Sequence, residues 1–142
     1  MRDCLARTPH FAYRLSMASW DDVRRIALGL PEVQERESRG LFEWRVREKL
    51  FVWERPLRKG DLVALGELAP TGSILGARVE DESEKAAWLA EKSGLYFTTP
   101  HFDGYPAILV SLDDIAVADL ERVVVEAWLA RAPKRLAEEL LR

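Results

Sequence analysis

The chain has 142 residues, 48 % hydrophobic and 32 % charged, a composition that excludes intrinsic disorder and fibrous repeats. Twenty-one basic side chains against 24 acidic ones leave a net charge of −3, whereas dedicated nucleic-acid domains are usually basic overall. The one cysteine, Cys4, rules out an intramolecular disulfide, a Cys-rich zinc cage and an iron–sulfur cluster, and no apolar run reaches the ~18 residues of a membrane span. A chain of this length buries roughly two-thirds of its unfolded surface, so no metal or cofactor is needed for folding and none is expected.

Residues 1–16 hold Arg2, Arg7 and Arg14 against Asp3, with neither an apolar h-region nor a small-residue cleavage site. They read as a loosely held extension. Regular patterning opens at Met17, a candidate start, and the expectation is one domain over 17–142 in the cytoplasm. Ser19 followed by Asp22 resembles a capping box, and Val23, Ile26, Ala27 and Leu30 fall at helical spacing up to Pro31. A first helix is therefore predicted over about 20–29. The polar stretch 31–40 reads as a connection.

Leu41 to Pro56 reads as a β-hairpin. With Glu48-Lys49 as a two-residue turn, one face collects Phe42, Trp44, Val46, Phe51 and Trp53. The other collects Glu43, Arg45, Arg47, Leu50, Val52 and Glu54. Trp44 and Trp53 then point together into the core. A basic turn, Leu57 to Asp61, leads into a predicted third strand over Leu62–Leu68 and, past Pro70-Thr71-Gly72, a fourth over Ile74–Val79. Asp81, Glu82 and Ser83 can cap a second helix through about Lys92, with Gly94 ending it. A fifth strand follows over Ala107–Leu112. Val117, Leu120, Val123, Val124, Ala127 and Trp128 make the stripe of a third helix, and Pro133 precedes a short terminal helix ending near Leu141. The order α-β-β-β-β-α-β-α points to an α+β fold: two layers, an antiparallel sheet with helices packed on one side.

Residues 36–59 hold eight basic side chains against four acidic, a surplus of four that leaves the remainder of the chain at −7. A basic hairpin can track phosphates, with Arg45, Arg47, Lys49, Arg55, Arg58 and Lys59 as the candidate contacts. Charged residues on exposed strands also prevent edge pairing, and Arg45 and Arg47 can instead pair with Glu43 and Glu54. A second candidate is the loop Thr99-Pro100-His101-Phe102-Asp103-Gly104-Tyr105-Pro106. His101 is chemically able to act as a base or metal ligand, but the only other histidine is His10, Asp103 suits a turn before Gly104, and no nucleophile elbow or phosphate loop is present. The reading is that no residue is catalytic, and that His101 and Tyr105 hydrogen-bond the loop backbone. A small-molecule pocket beside the loop stays open as an alternative.

Four segments together resemble the MmcQ/YjbR family of small bacterial proteins. They are Asp22-Val23-Arg24 through Leu30-Pro31-Glu32-Val33, the hairpin from Phe42 to Phe51, the run Phe97 to Pro106, and Glu126-Ala127-Trp128 with Ala132-Pro133-Lys134-Arg135-Leu136. The resemblance covers about residues 19–137. It departs at Glu48, where the family usually has Gly before Lys49, and over 56–79, which is longer here. It implies a compact α+β fold similar to frataxin-like or secretion-chaperone-like domains, and a label of predicted DNA binding through a double wing. The resulting expectation is a non-catalytic DNA-binding module. The alternatives are a protein-interaction module using exposed apolar surface or a free sheet edge, and a small-ligand or metal-binding protein at the His101 loop. For a metal role the acids Asp21, Asp22, Glu32, Glu35 and Glu37 are sparse, and a solvated helix face explains them better. The sequence carries no signal for oligomeric state.

Overall fold

Helix α1, Trp20–Leu28, begins where two side chains satisfy its free amides: Ser19 Oγ accepts the Asp22 N–H at 3.4 Å and the Asp22 carboxylate accepts the Ser19 N–H at 2.9 Å. Its buried face is Val23, Ile26 and Ala27, as the spacing predicts. The structure, a computed structural model, describes residues 17–91 and 94–141. The expected extension at 1–16, with Cys4 and His10, lies outside the described residues.

The stretch read as a connection contains a strand. After Glu32, at φ +56, β1 runs over Val33–Ser38 and pairs antiparallel with β2, Leu41–Val46, from Val33 opposite Val46 to Ser38 opposite Leu41. Its sequence, VQERES, has one apolar residue. An exposed edge strand needs little apolar surface, because backbone hydrogen bonds to its neighbour hold it. The β1–β2 turn is Arg39-Gly40, with both φ values positive, the geometry that matches strand twist in a two-residue hairpin.

The next hairpin also differs from expectation. β3 covers Lys49–Glu54, and the turn is Arg47-Glu48 (φ +50 and +72), one residue earlier than predicted. Val46 faces Lys49 and Arg45 faces Leu50, but Trp44 faces Val52 and Glu43 faces Trp53. Phe51 is thus an extra residue, a β-bulge, and it shifts every later side chain of β3. Phe51 and Val52 are both fully buried on the helix side with Trp44 and Val46. Trp53 lies on the opposite face of the sheet, not beside Trp44.

The predicted strand at 62–68 is helical: α2 spans Lys59–Leu65 and a 3₁₀ turn spans Gly66–Leu68. Its entry is set by Asp61, which accepts the Arg58 N–H at 2.8 Å, and Leu62 and Val63 stay exposed rather than entering the sheet. β4 (Ile74–Arg78), α3 (Glu82–Glu91), β6 (Ala107–Ser111), α4 (Val117–Arg131) and α5 (Lys134–Leu140) fall close to their predicted places. A two-residue strand, β5 (Tyr96–Phe97), and a 3₁₀ turn at Pro100–Phe102 occupy the loop before β6.

The result is an α+β, two-layer architecture. The antiparallel sheet has order β1-β2-β3-β4-β6-β5. Helices α1 and α4 cover one face, with Trp44, Phe51, Leu75, Ile108 and Trp128 at the centre of the core. Trp128 donates its indole N–H to the Pro31 carbonyl at 3.1 Å, tying α4 to the segment that ends α1. The other face carries a smaller apolar cluster of Ile74, Phe102, Ala107 and Leu109, flanked by Trp53, Leu57 and Phe97.

Candidate nucleic-acid interface

The sequence places six cations on or just after the second hairpin, and the fold divides them into two groups. Arg45 Nε donates to Glu43 at 2.5 Å and its Nη1 to the Glu48 carbonyl at 2.9 Å. Arg47 grips Glu32 with two nitrogens, Nη2 at 3.2 Å. That bond holds the Glu32 carboxyl below, and the Arg47 guanidinium above, their ordinary values. Glu54, the other expected partner, instead accepts the Phe42 N–H at 2.9 Å.

Arg55 is the third neutralised cation. It is 4 % exposed, and its Nη1 donates to Asp61 at 3.0 Å and to the Pro56 carbonyl at 2.5 Å. Its guanidinium lies 5.1 Å from the Phe102 ring centre, while Nη2 is shielded and has no hydrogen-bond partner among the described residues. Burial works to raise the Asp61 carboxyl. The Arg58 N–H and Arg55 outweigh it, and the group sits below the usual carboxylate range. This pair anchors the start of α2 to the sheet, so Arg55 is an internal brace rather than a surface contact.

Lys49, Arg58 and Lys59 are exposed, and none makes an ion pair among the described residues. Beside Arg58, on the open face of β3, lies a groove of two adjacent lobes. One, of about 320 Å³, is walled by Leu50, Trp53, Phe102 and Tyr105. The other, of about 280 Å³, is walled by Gly60, Asp61 and Pro100. Arg55, Arg58 and His101 border both.

The loop residues have roles other than those expected. His101 is exposed and packs edge-on against Phe102, with ring centres 4.9 Å apart, and makes no hydrogen bond among the described residues. Tyr105 accepts a bond from Arg78 through its hydroxyl, at 3.3 Å, and not from the loop backbone. Asp103 is exposed and ends the 3₁₀ turn ahead of Gly104, at φ +77. The loop backbone is held by Lys85 of α3, only 5 % exposed, whose Nζ donates to the carbonyls of Phe102 and Tyr105 at 2.7 and 2.8 Å.

Lys85 had a faint signal, since it sits three residues before Trp88 on the buried stripe of α3. Asp61 and Trp53 had none, because their positions depend on the buried ion pair and the bulge. Among the described residues no group of three or more His, Cys, Asp or Glu is placed to hold a metal, and no helix is long and apolar enough to cross a membrane.

The YjbR family model matches residues 28–130. The chain is 54 % identical over 128 residues to uncharacterized protein Rv2570 of Mycobacterium tuberculosis and to uncharacterized protein Mb2600 of Mycobacterium bovis. Each alignment covers 88 % of this chain and 97 % of the relative. No solved structure gives a significant match.

Proposed function

The chain belongs to the YjbR family, and from that premise we propose that it is a nucleic-acid-binding module that holds backbone phosphates through Lys49, Arg58 and Lys59. The observation that carries this reading is the division of the six cations. Arg45, Arg47 and Arg55 are each held by a carboxylate of the same chain, while Lys49 at the start of β3 and Arg58 and Lys59 at the start of α2 have no ion-pair partner among the described residues. Charge outside residues 36–59 totals −7 and repels a polyanion, which favours contact at this basic segment. Three phosphate contacts make a weak, sequence-independent, salt-sensitive binder.

Fluorescence anisotropy with labelled oligonucleotides tests it. Between 50 and 200 mM salt, three contacts predict a loss of affinity of roughly 20- to 40-fold. Arg58→Glu with Lys59→Glu abolishes binding, whereas Arg47→Gln leaves most of it. Absence of binding at 50 mM salt refutes the reading.

A second reading rests on α2 and the turn after it, where Leu62, Val63 and Leu68 are 47, 77 and 87 % exposed. An apolar surface of this kind suits a protein partner. Capture from nuclease-treated lysate that is lost on Val63→Asp with Leu68→Asp supports it; capture unchanged by these substitutions removes it.

A further inference from the structure

Phosphate contacts alone make no use of the aromatic lobe of the groove. Trp53 was expected in the core, but the bulge at Phe51 puts it on the open face, 6.4 Å from Phe102, and Phe102 in turn lies 6.1 Å from Tyr105. Tyr105 is 40 % exposed. The second lobe shares Arg55, Arg58 and His101 with this aromatic one. Its one carboxylate, Asp61, is already engaged by Arg55 and by the Arg58 N–H, so an incoming anion meets no free negative charge there. Arg58 and His101 stand at its rim, both exposed and without an ion-pair partner among the described residues.

We propose that this groove seats one unpaired nucleotide unit, its base against Trp53 and Tyr105 and its phosphate between Arg58 and His101. The inference deepens the phosphate-binding reading and rests on it. The lobes, of about 320 and 280 Å³, stand just inside and just below the lower end of the range for ligand sites (about 300–1,000 Å³), a size that suits one nucleotide and not a dinucleotide cofactor. Aromatic side chains stack on bases of single strands irrespective of sequence, since every base has a π-face. A base inside a duplex is stacked on both sides and cannot enter without being flipped out. The groove therefore discriminates by strandedness. The chemistry is shared by a free nucleotide and by a nucleotide within a strand.

The test compares four probes on the full chain at 50 mM salt: a twelve-nucleotide oligothymidylate, the corresponding adenine–thymine duplex, thymidine 5′-monophosphate and inorganic phosphate. The strand is expected to bind about tenfold or more tightly than the duplex. Tyr105→Ala, at an exposed position, lowers strand affinity by about 5- to 150-fold with little change for the duplex. Arg58→Ala lowers both, and urea unfolding of each variant verifies that it folds. Competition by the mononucleotide at concentrations where inorganic phosphate is silent identifies a free nucleotide as a ligand. Strand preference without such competition assigns the site to the polymer. Duplex binding equal to or tighter than strand binding, an unchanged Tyr105→Ala variant, or inorganic phosphate competing as well as the nucleotide overturns the inference and leaves the phosphate reading standing. Absence of binding to both strand and duplex overturns both.

Discussion

The indole of Trp53 lies against Gly76, its register partner on β4, so closely that a Cβ at position 76 would stand 2.4 Å from Cε2 and 2.6 Å from Cζ2. No real Cβ makes such a contact, so the absence of a side chain at 76 is what lets the ring lie across the open face of the sheet. The shape of the groove depends on this one packing relationship between neighbouring strands.

Gly76→Ala should therefore displace Trp53 and destabilise the fold by about 1–3 kcal/mol, read as a lower urea midpoint at unchanged slope. Adding Trp53→Ala removes the clash, and the double variant should be distinctly more stable than the sum of the two single effects predicts.

Asp61→Asn leaves Arg55 buried without its counter-charge. Breaking one side of a buried pair costs about 3–5 kcal/mol, far more than Glu43→Gln at the partly exposed Arg45. The Asp61 carboxyl titrates below its ordinary value. Its stabilising contribution is thus complete above the unfolded value of about 3.9 and is lost as pH falls through the lower folded value. Unfolding midpoints measured from pH 7 down to pH 2 should fall steeply below about pH 4 in the parent chain and less steeply in Asp61→Asn.

Glu32→Gln with Glu43→Gln frees Arg47 and Arg45 from their partners. Two more cations then face solvent on the hairpin. Anisotropy titrations should show tighter nucleic-acid binding and a log–log salt slope steeper by about 1.4–1.8. An unchanged slope would mean that these arginines stand away from the bound phosphates.

Glu48 holds φ +72 in the hairpin turn, a conformation that a residue without a side chain adopts at no steric cost. The resemblance read from the sequence places glycine at this position. Glu48→Gly should stabilise the chain by about 0.5–1 kcal/mol, net of the exposed ion pair with Arg36 that it removes. Thermal unfolding reads this as a rise of a few degrees.

Lys85→Met removes two hydrogen bonds to the carbonyls of Phe102 and Tyr105 in a buried setting. The expected cost is about 1–3 kcal/mol. Hydrogen exchange should show the loss concentrated in residues 99–106, with α4 unaffected at low denaturant.

Elements that depend on neighbours in the chain could be read from it. The Ser19–Asp22 capping box, the stripe from Val117 to Trp128 and the hairpin of alternating rings and charges each rest on contacts within a few residues, so composition and period suffice to find them. β1 escaped because VQERES has no apolar alternation, its strand conformation coming from backbone bonds to β2. The segment 62–68 is ambiguous in the chain because a short apolar run looks alike in strand and helix, and what favours the helix is Asp61 accepting from Arg55 just past the end of β3.

The composition of the site was visible in the chain, but its surface was decided elsewhere. One extra residue at Phe51 reverses the side on which Trp53 lies, and the edge strand carries Glu32 to Arg47 across fifteen positions. Side-chain direction along a strand alternates strictly, so a single bulge changes what every later residue faces. The net effect of a charge likewise depends on which opposite charge the fold brings beside it. For both reasons, the residues able to meet a ligand follow from strand register and long-range pairing rather than from their order in the chain.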